Sequence, residues 1–471
     1  MDASRARRAA RALLVCASFF GVAALVGPAA AQKSEADSPK AASEAKPWYD
    51  ARLRVFFAAK EAQARQLAAL TNQPAAPEVW PYFKAGMGGD WRTVSNLWTV
   101  MRRRAHQYEG STHDARLDRV WAPILETYLA WGQFSGWKEK YLLAFGNDII
   151  KSIPPGSIYF GGTDLGRGVI TAMSESHAGG KPFFTITQNA LADGTYLDYL
   201  RAMYGPAIYI PTAEDSQNSF TEYIKDAQQR LAQNKLKPGE DVHTKEDGQI
   251  QISGQVAVMC INGLLVKTIF DRNPERQFYI EESFPLDWMY PYLSPNGLIM
   301  KINRQPLPKL SGELVRQDHE YWSHYLQPML GDWLHEGTSV AEVAGFVKKV
   351  YLQHDLGGFT GDPQFLQDTM AHETFAKLRI SIGGLYQWRG ANATTAEEKQ
   401  RMAKEANFAF RQAFALCPIG PEVVFRYVRL LLESDRPDDA RLVLLTTLRL
   451  DPDNTQIAAL LDEVKKAKGK K

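Results

Sequence analysis

The sequence predicts a composite α/β plus all-α chain: a parallel α/β unit in the middle, a helical region before it and helical repeats behind it. Three observations carry that reading. Short aromatic and β-branched runs, SIYF (157–160), FFTIT (183–187) and AIYI (207–210), each pass through a polar turn into a helical pattern. On both sides of this stretch the apolar residues recur with the period of helices. Near the C-terminus, Ala406, Phe410, Ala413 and Pro418 recur 34 residues on as Ala440, Leu444, Thr447 and Pro452.

The first 31 residues read as an export signal. Arg5, Arg7, Arg8 and Arg11 precede the apolar run ALLVCASFFGVAALVG (12–27), and Ala29-Ala30-Ala31 before Gln32 has the small-x-small form of a cleavage site. The run is shorter than the 18 or so residues of a spanning helix, and an uncleaved anchor is the alternative. The expectation is an exported protein, periplasmic or extracellular, with no transmembrane segment in the mature chain. Residues 32–47 are rich in Ala, Ser, Lys and Glu with no apolar face, and read as a flexible linker.

Residues 48–153 read as helical. WRTVSNLWTVMRRR places Val94, Leu97, Trp98 and Met101 on one face, and Val120, Ile124, Tyr128 and Trp131 follow in the same way. Pro154-Pro155-Gly156 ends this region. Residues 154–308 then form the α/β unit. Thr195 and Asp198 are spaced like a capping box, Gly205 stops that helix, and Asp215 is the expected N-cap of the next. A helix over 255–271 and strands over 276–282 and 297–303 complete the unit. Strand–helix alternation with short links implies a parallel, right-handed, Rossmann-like domain. Residues 309–375 read as a helical connector, with Ser311 and Ser339 opening helices. The 34-residue period of residues 376–471 is that of tetratricopeptide repeats. Ile382-Gly383 with Tyr386 fits the first helix of such a repeat, ANATTAEEKQR lengthens the turn that follows, and a basic tail closes the chain. Two repeats bury little on their own, so they are expected to stack on the helices before them.

Ligands of open parallel sheets bind beyond the carboxyl ends of the strands. Reading each strand to its end gathers Thr163, Asp164 and Arg167 after the first, Gln188 and Asn189 after the second, and Asp215 after the third. These six are the candidate ligand-binding residues, Asp164 for a sugar hydroxyl and Arg167 for an anion. The alternative is that the acids cap helices. The stretch GSIYFGGTDLGRG (156–168) misses both standard phosphate loops. The frame from Gly166 ends in threonine where the dinucleotide fingerprint needs glycine, and Arg167-Gly168 replaces the Lys-Ser/Thr of a Walker loop.

Other chemistry is excluded or unsupported. His319 and His324 are five apart, so they do not share a helix face as zincin ligands must. Glu281 and Glu282 are neighbours on a strand and point to opposite faces, so they cannot act as a carboxylate pair. Net charge is +2 over 471 residues, with four arginines at the extreme N-terminus, so nothing argues for nucleic acid. No cofactor or metal is expected. Cys260 and Cys417 read as small buried hydrophobes, and two distant cysteines do not define a disulfide.

The segments IPPGSIYFGGTD, KPFFTITQNALADGTYLDYLR and RQFYIEESFPLDWMYPYLSPNGLIMKIN, in that order, resemble the soluble extracytoplasmic domain of multi-pass glycosyltransferases of the protein O-mannosyltransferase-like kind. Tyr292-Leu293 and Gly297-Leu298 match the last element. The chain also resembles exported bacterial proteins with tetratricopeptide repeats. In the membrane enzymes the catalytic carboxylates lie among spanning helices that this chain lacks after its signal. The resemblance therefore implies an accessory domain linked to glycan or glycoprotein processing, with no catalytic residue carried over. The sequence as a whole points to an exported, non-catalytic binding or assembly protein whose repeats hold a protein partner. The alternative is a domain that binds or turns over a glycan, sugar nucleotide or phosphorylated ligand.

Overall fold

The computed structural model describes residues 47–468, apart from 71–73, 106–111, 162–164, 175–178, 238, 245–249 and 282–285. The signal-like segment, the linker before Pro47 and the end of the basic tail lie outside the described residues.

Helices α1 (Asp50–Ala69), α2 (Val79–Gly88), α3 (Trp91–Arg102), α4 (Trp121–Gly136) and α5 (Glu139–Ser152) build the N-terminal region. Gly89 ends α2 at φ +76°, where a residue without Cβ meets no penalty, and the Asp90 carboxylate then accepts from the Thr93 amide to open α3. The expected face of α3 is buried through Val94, Trp98 and Met101. Trp98 stacks on Tyr128 at 3.9 Å and on Trp121 at 5.0 Å. Aromatic packing thus closes a small core between α1 and α4.

The middle of the chain contributes β1 (Ile158–Gly161), β2 (Phe184–Ile186), α6 (Gly194–Tyr204), α7 (Ala213–Ala232), β3 (Asp241–Thr244), β4 (Ile250–Ser253), α8 (Gln255–Arg272), β5 (Phe278–Glu281), β6 (Leu293–Asn296) and β7 (Ile299–Ile302). The main sheet runs β2-β1-β5-β7-β6. Its first three strands are parallel, with Phe160 beside both Ile186 and Ile280, and Gly161 beside Glu281. Its last two run antiparallel as a hairpin turned at Gly297, φ +65°. The sheet is therefore small and mixed, where the sequence predicted an all-parallel Rossmann-like one. Pro295 sits in β6 at the open edge, the one place in a sheet that tolerates a missing amide.

AIYI (207–210) is not a strand, and the reason lies at the edge formed by β2. The Tyr204 hydroxyl accepts from the Thr185 amide at 3.1 Å and donates to the Thr185 carbonyl at 2.8 Å. The Tyr196 hydroxyl accepts from the Thr187 amide at 2.8 Å. Tyrosines of α6 thus occupy the groups on β2 that a further strand would need. Tyr209 in turn pairs its amide and carbonyl with the Asn273 side chain, at 2.7 and 3.1 Å. Both backbones are satisfied without a ladder. Two helix starts also differ from expectation. Asp193, not Thr195, caps α6, and Thr212 caps α7 with Asp215 as its reciprocal partner. The antiparallel pairing of β3 with β4 was not foreseen, although Val242, Ile250 and Ile252 fall on a period of two in the sequence.

The C-terminal part holds α9 (Gly312–Leu330), α10 (Val340–Phe346), α11 (Thr369–Ala391), α12 (Ala396–Leu416), α13 (Pro421–Glu433), α14 (Pro437–Leu450) and α15 (Thr455–Lys468). Ser311 and Ser339 cap α9 and α10 as the sequence predicts. The insertion in the first repeat lengthens a helix instead of a turn. Thr395 caps α12 through the Glu398 amide, and the Ala-, Glu-, Lys- and Gln-rich residues behind it are strong helix formers. One continuous apolar core runs from Leu53 of α1 through the sheet to Val464 of α15. Cys417 is buried, Cys260 is half-buried, and both are free thiols.

Tyr204→Phe removes the hydroxyl that pairs with the buried Thr185 amide and carbonyl. We expect a loss of about 1–3 kcal/mol in urea denaturation of the full chain, with no change in far-ultraviolet dichroism. A loss below the error of the titration would show that the β2 edge is satisfied by other means.

Candidate functional site

Two places in the fold concentrate polar groups: the carboxyl edge of the parallel strands, and the junction where the repeats meet the body.

At the strand edge the glycines of GSIYFGGTDLGRG follow from packing. A Cβ on Gly166 would lie 2.5 Å from the Gly161 Cα and 2.8 Å from a Glu281 carboxylate oxygen. One on Gly168 would lie 2.8 Å from the Ala130 amide nitrogen of α4. The turn therefore presses its backbone against β1 on one side and against α4 on the other. Gly166–Ile170 forms a widened π turn that accommodates this.

Arg167 leaves that turn into the interior. It is 6% exposed, lies over the Tyr196 ring at 4.7 Å and approaches Glu126 of α4 to 3.5 Å. Glu126 also takes Lys60 of α1 at 2.5 Å and the Tyr199 hydroxyl at 2.7 Å. Lys60 is fully buried and donates further to the Tyr199 oxygen at 2.7 Å and to Gln63 at 3.1 Å. Burial holds the Lys60 ammonium below the ordinary lysine range, although Glu126 pulls it back up. Burial, with the Glu126 charge beside it, keeps the Tyr199 phenol protonated. Sequence reasoning missed Lys60, Glu126 and Tyr199. Lys60 and Glu126 sit in helical patterns where a lone charge reads as surface, and only the tertiary fold places them together.

Of the six predicted ligand residues, Thr163 and Asp164 lie outside the described residues. Arg167 and Gln188 are buried at the edge. Asn189 is exposed, and its carbonyl accepts from Asn262 at 3.0 Å. Asp215 stands apart at the start of α7, where its carboxylate accepts from the Thr212 amide at 2.8 Å and from the Tyr209 hydroxyl. The structure thus brings Arg167 and Gln188 to the strand ends and uses Asp215 as the reciprocal partner of the Thr212 cap. Glu281 ends β5 at the same edge, 2% exposed, and accepts from the Tyr159 hydroxyl at 2.8 Å. The sequence reading also placed Glu281 at the end of a strand on this edge, and rejected it as one half of a carboxylate pair with Glu282.

At the second place, α11 and α12 pair closely because Gly383 has no side chain: a Cβ there would lie 3.0 Å from the Phe410 ring. Ala406, Phe410 and Ala413 are buried, and so are their counterparts Ala440, Leu444 and Thr447. The Thr447 hydroxyl donates to the Pro418 carbonyl at 2.9 Å, so the small residue of one repeat holds the proline of the other. Residues 399–464 match the tetratricopeptide repeat. The matched residues run from α12 into α15 and contain the whole 34-residue echo, and α11 packs on α12 just before them. No curated protein and no solved structure matches the chain. Among the described residues no helix is long and apolar enough to cross a membrane, and no group of three candidate ligands could hold a metal ion.

The repeats are pinned to the body by arginines. Arg379 of α11 meets Asp318 of α9 through Nη1 at 2.8 and 3.0 Å, and neither side chain is exposed. Tyr386, the tyrosine that marks the first repeat in the sequence, donates to the same carboxylate at 2.8 Å. Arg389, at the end of α11, donates to the carbonyls of Leu307, Tyr290, Pro291 and Leu293. Arg401, on the added turns of α12, donates to the Leu310 carbonyl. Trp388 stacks on Tyr290 at 5.3 Å, so the residues just before β6 anchor α11.

Gly168→Ala tests whether the glycine-rich turn exists for packing. The added methyl meets α4 backbone that cannot move aside, and we expect a loss of about 1–3 kcal/mol in chemical denaturation. Unchanged stability would show that α4 is not held against the turn.

Proposed function

We propose that the protein is an exported, non-catalytic docking factor, one that presents tetratricopeptide-repeat helices to a protein partner. One observation carries this reading: the repeats match the known repeat and are braced on a large body, so they offer a preformed surface. A preformed surface spends little of its binding energy on ordering itself. The first repeat is engaged internally through Trp388 and Arg389, so the partner is expected on the second, around Phe425 and Arg429 of α13. Phe425 is half-buried and Arg429 exposed. A link to glycan or glycoprotein processing is supported by the resemblance of residues 150–305 alone.

A second reading has one observation in its favour. The Thr187 hydroxyl is buried at the end of β2 and has no hydrogen-bond partner among the described residues. It lies in the row that holds Gly161 and Glu281, the place where a sugar, a sugar nucleotide or another phosphorylated ligand would bind such a sheet.

Affinity capture from an envelope extract separates the two. Deleting residues 376–471 would strip apolar cover from the sheet, so the full chain is used with Phe425→Ala and Arg429→Glu together. We expect loss of a discrete partner by tenfold or more. If the captured set is unchanged, and a sugar or nucleotide raises the melting temperature in a way that Arg167→Ala abolishes, the second reading replaces the first.

A further inference from the structure

His319 of α9 lies where three elements meet. Its Nε2 is 2.5 Å from Glu405 of α12, and its Nδ1 is 3.0 Å from Glu336 in the segment before α10. A neutral imidazole has one N–H, so it can satisfy only one of these carboxylates. The imidazolium has two and satisfies both. We propose that His319 is a proton-operated latch that fastens the connector helix and the Glu336 segment to the first repeat.

The surroundings support a latch over a fixed structural bond. Lys404 of α12 binds the other oxygen of Glu336 at 2.6 Å and holds that carboxyl below its usual range, so Glu336 stays ionised to face the ring. Arg411 of α12 donates to the carbonyls of Glu336 and Thr338 and fixes the segment that carries Glu336. From α11, Arg379 opposes a charge on His319, and from α9 itself Asp318 favours one. Glu320, next in the chain, is exposed and engaged with Arg316. The His319 ring stands edge-on to Phe408 at 5.2 Å, and its side chain is 17% exposed, so solvent protons reach it.

The sign follows from these neighbours. Burial by itself disfavours the charged ring, but the hydrogen bond and charge of Glu405 outweigh it, so the folded-state pKa lies above the ordinary histidine value. A raised histidine stabilises the fold fully below about pH 6.5, its unfolded value, and that stabilisation is lost as pH rises through the folded value. Below that folded value the latch is closed. Above it one carboxylate faces a lone pair and the junction loosens. The consequence for partner binding rests on the docking role proposed above. The latch itself can be read with no partner present, so the two ideas fail separately.

The test is a titration of the histidine Cε1–H resonances of the full chain by NMR, with His319 assigned by the peak missing in His319→Gln. The expected midpoint lies above 6.5 and moves down in Glu336→Gln. The melting temperature falls as pH rises past that midpoint, and His319→Gln flattens the fall. A midpoint at or below 6.5, or the same pH dependence of melting in His319→Gln, would overturn the proposal. If His319→Gln does not fold, Glu336→Gln keeps the test open. It retains the bond to Glu405, so an unmoved His319 midpoint in that variant would also overturn the latch.

Discussion

The ion pair of Arg379 with Asp318 is the contact on which the joint between body and repeats depends. Neither side chain reaches water. Removing such charges from water costs several kcal/mol per ion, and the hydrogen bonds around the pair offset that cost, although Arg379 Nη2 has no partner among the described residues. Here the bonding comes from three helices. α9 provides the carboxylate, α11 the guanidinium and the Tyr386 hydroxyl, and α12 the Gln412 oxygen at 2.7 Å from Arg379 Nε. The helices must hold their mutual position for the charges to be satisfied. A repeat that ordinarily stacks only on its neighbours is thereby fixed to a different kind of domain. The longer α11 and α12 extend the hold, since Arg389 and Arg401 reach backbone carbonyls that shorter repeat helices would not.

A similar arrangement closes the other end of the body. Lys60, Glu126, Arg167 and Tyr199 join α1, α4, the glycine-rich turn and α6 around one carboxylate. The N-terminal helices therefore roof the edge at which an open parallel sheet would hold a ligand. The glycines there bring backbones together, which explains why the turn carries so many of them while matching neither phosphate-loop spacing. The charges that meet at this edge join elements of the body, and the docking surface proposed above lies at the far end of the chain.

Much of the architecture was legible in the sequence because it rests on local pattern. The stripe of α3, the serine caps of α9 and α10 and the 34-residue echo each declare themselves within a few turns of chain. The errors have a common physical cause. AIYI has the composition of a strand, but whether it pairs depends on the free edge of β2, and that edge is taken by Tyr196 and Tyr204 from a helix. The direction of β7 depends on the hairpin closed at Gly297, hidden in a loop rich in proline and aromatics. Asp215 was recognised at a helix start, but its partner Thr212 decides which of the two is the cap. Lys60 and Glu126 could not be read as a pair, because their meeting exists only after the fold brings α1 and α4 together.

The central claim is that sheet, connector and repeats are one cooperative unit, braced by buried charge. Differential scanning calorimetry of the full chain, at pH values where unfolding is reversible, tests it most directly. The account predicts a single transition over residues 47–468, with calorimetric and van't Hoff enthalpies equal within error. Two resolved transitions, with the lower one confined to the repeats by parallel hydrogen exchange, would contradict it.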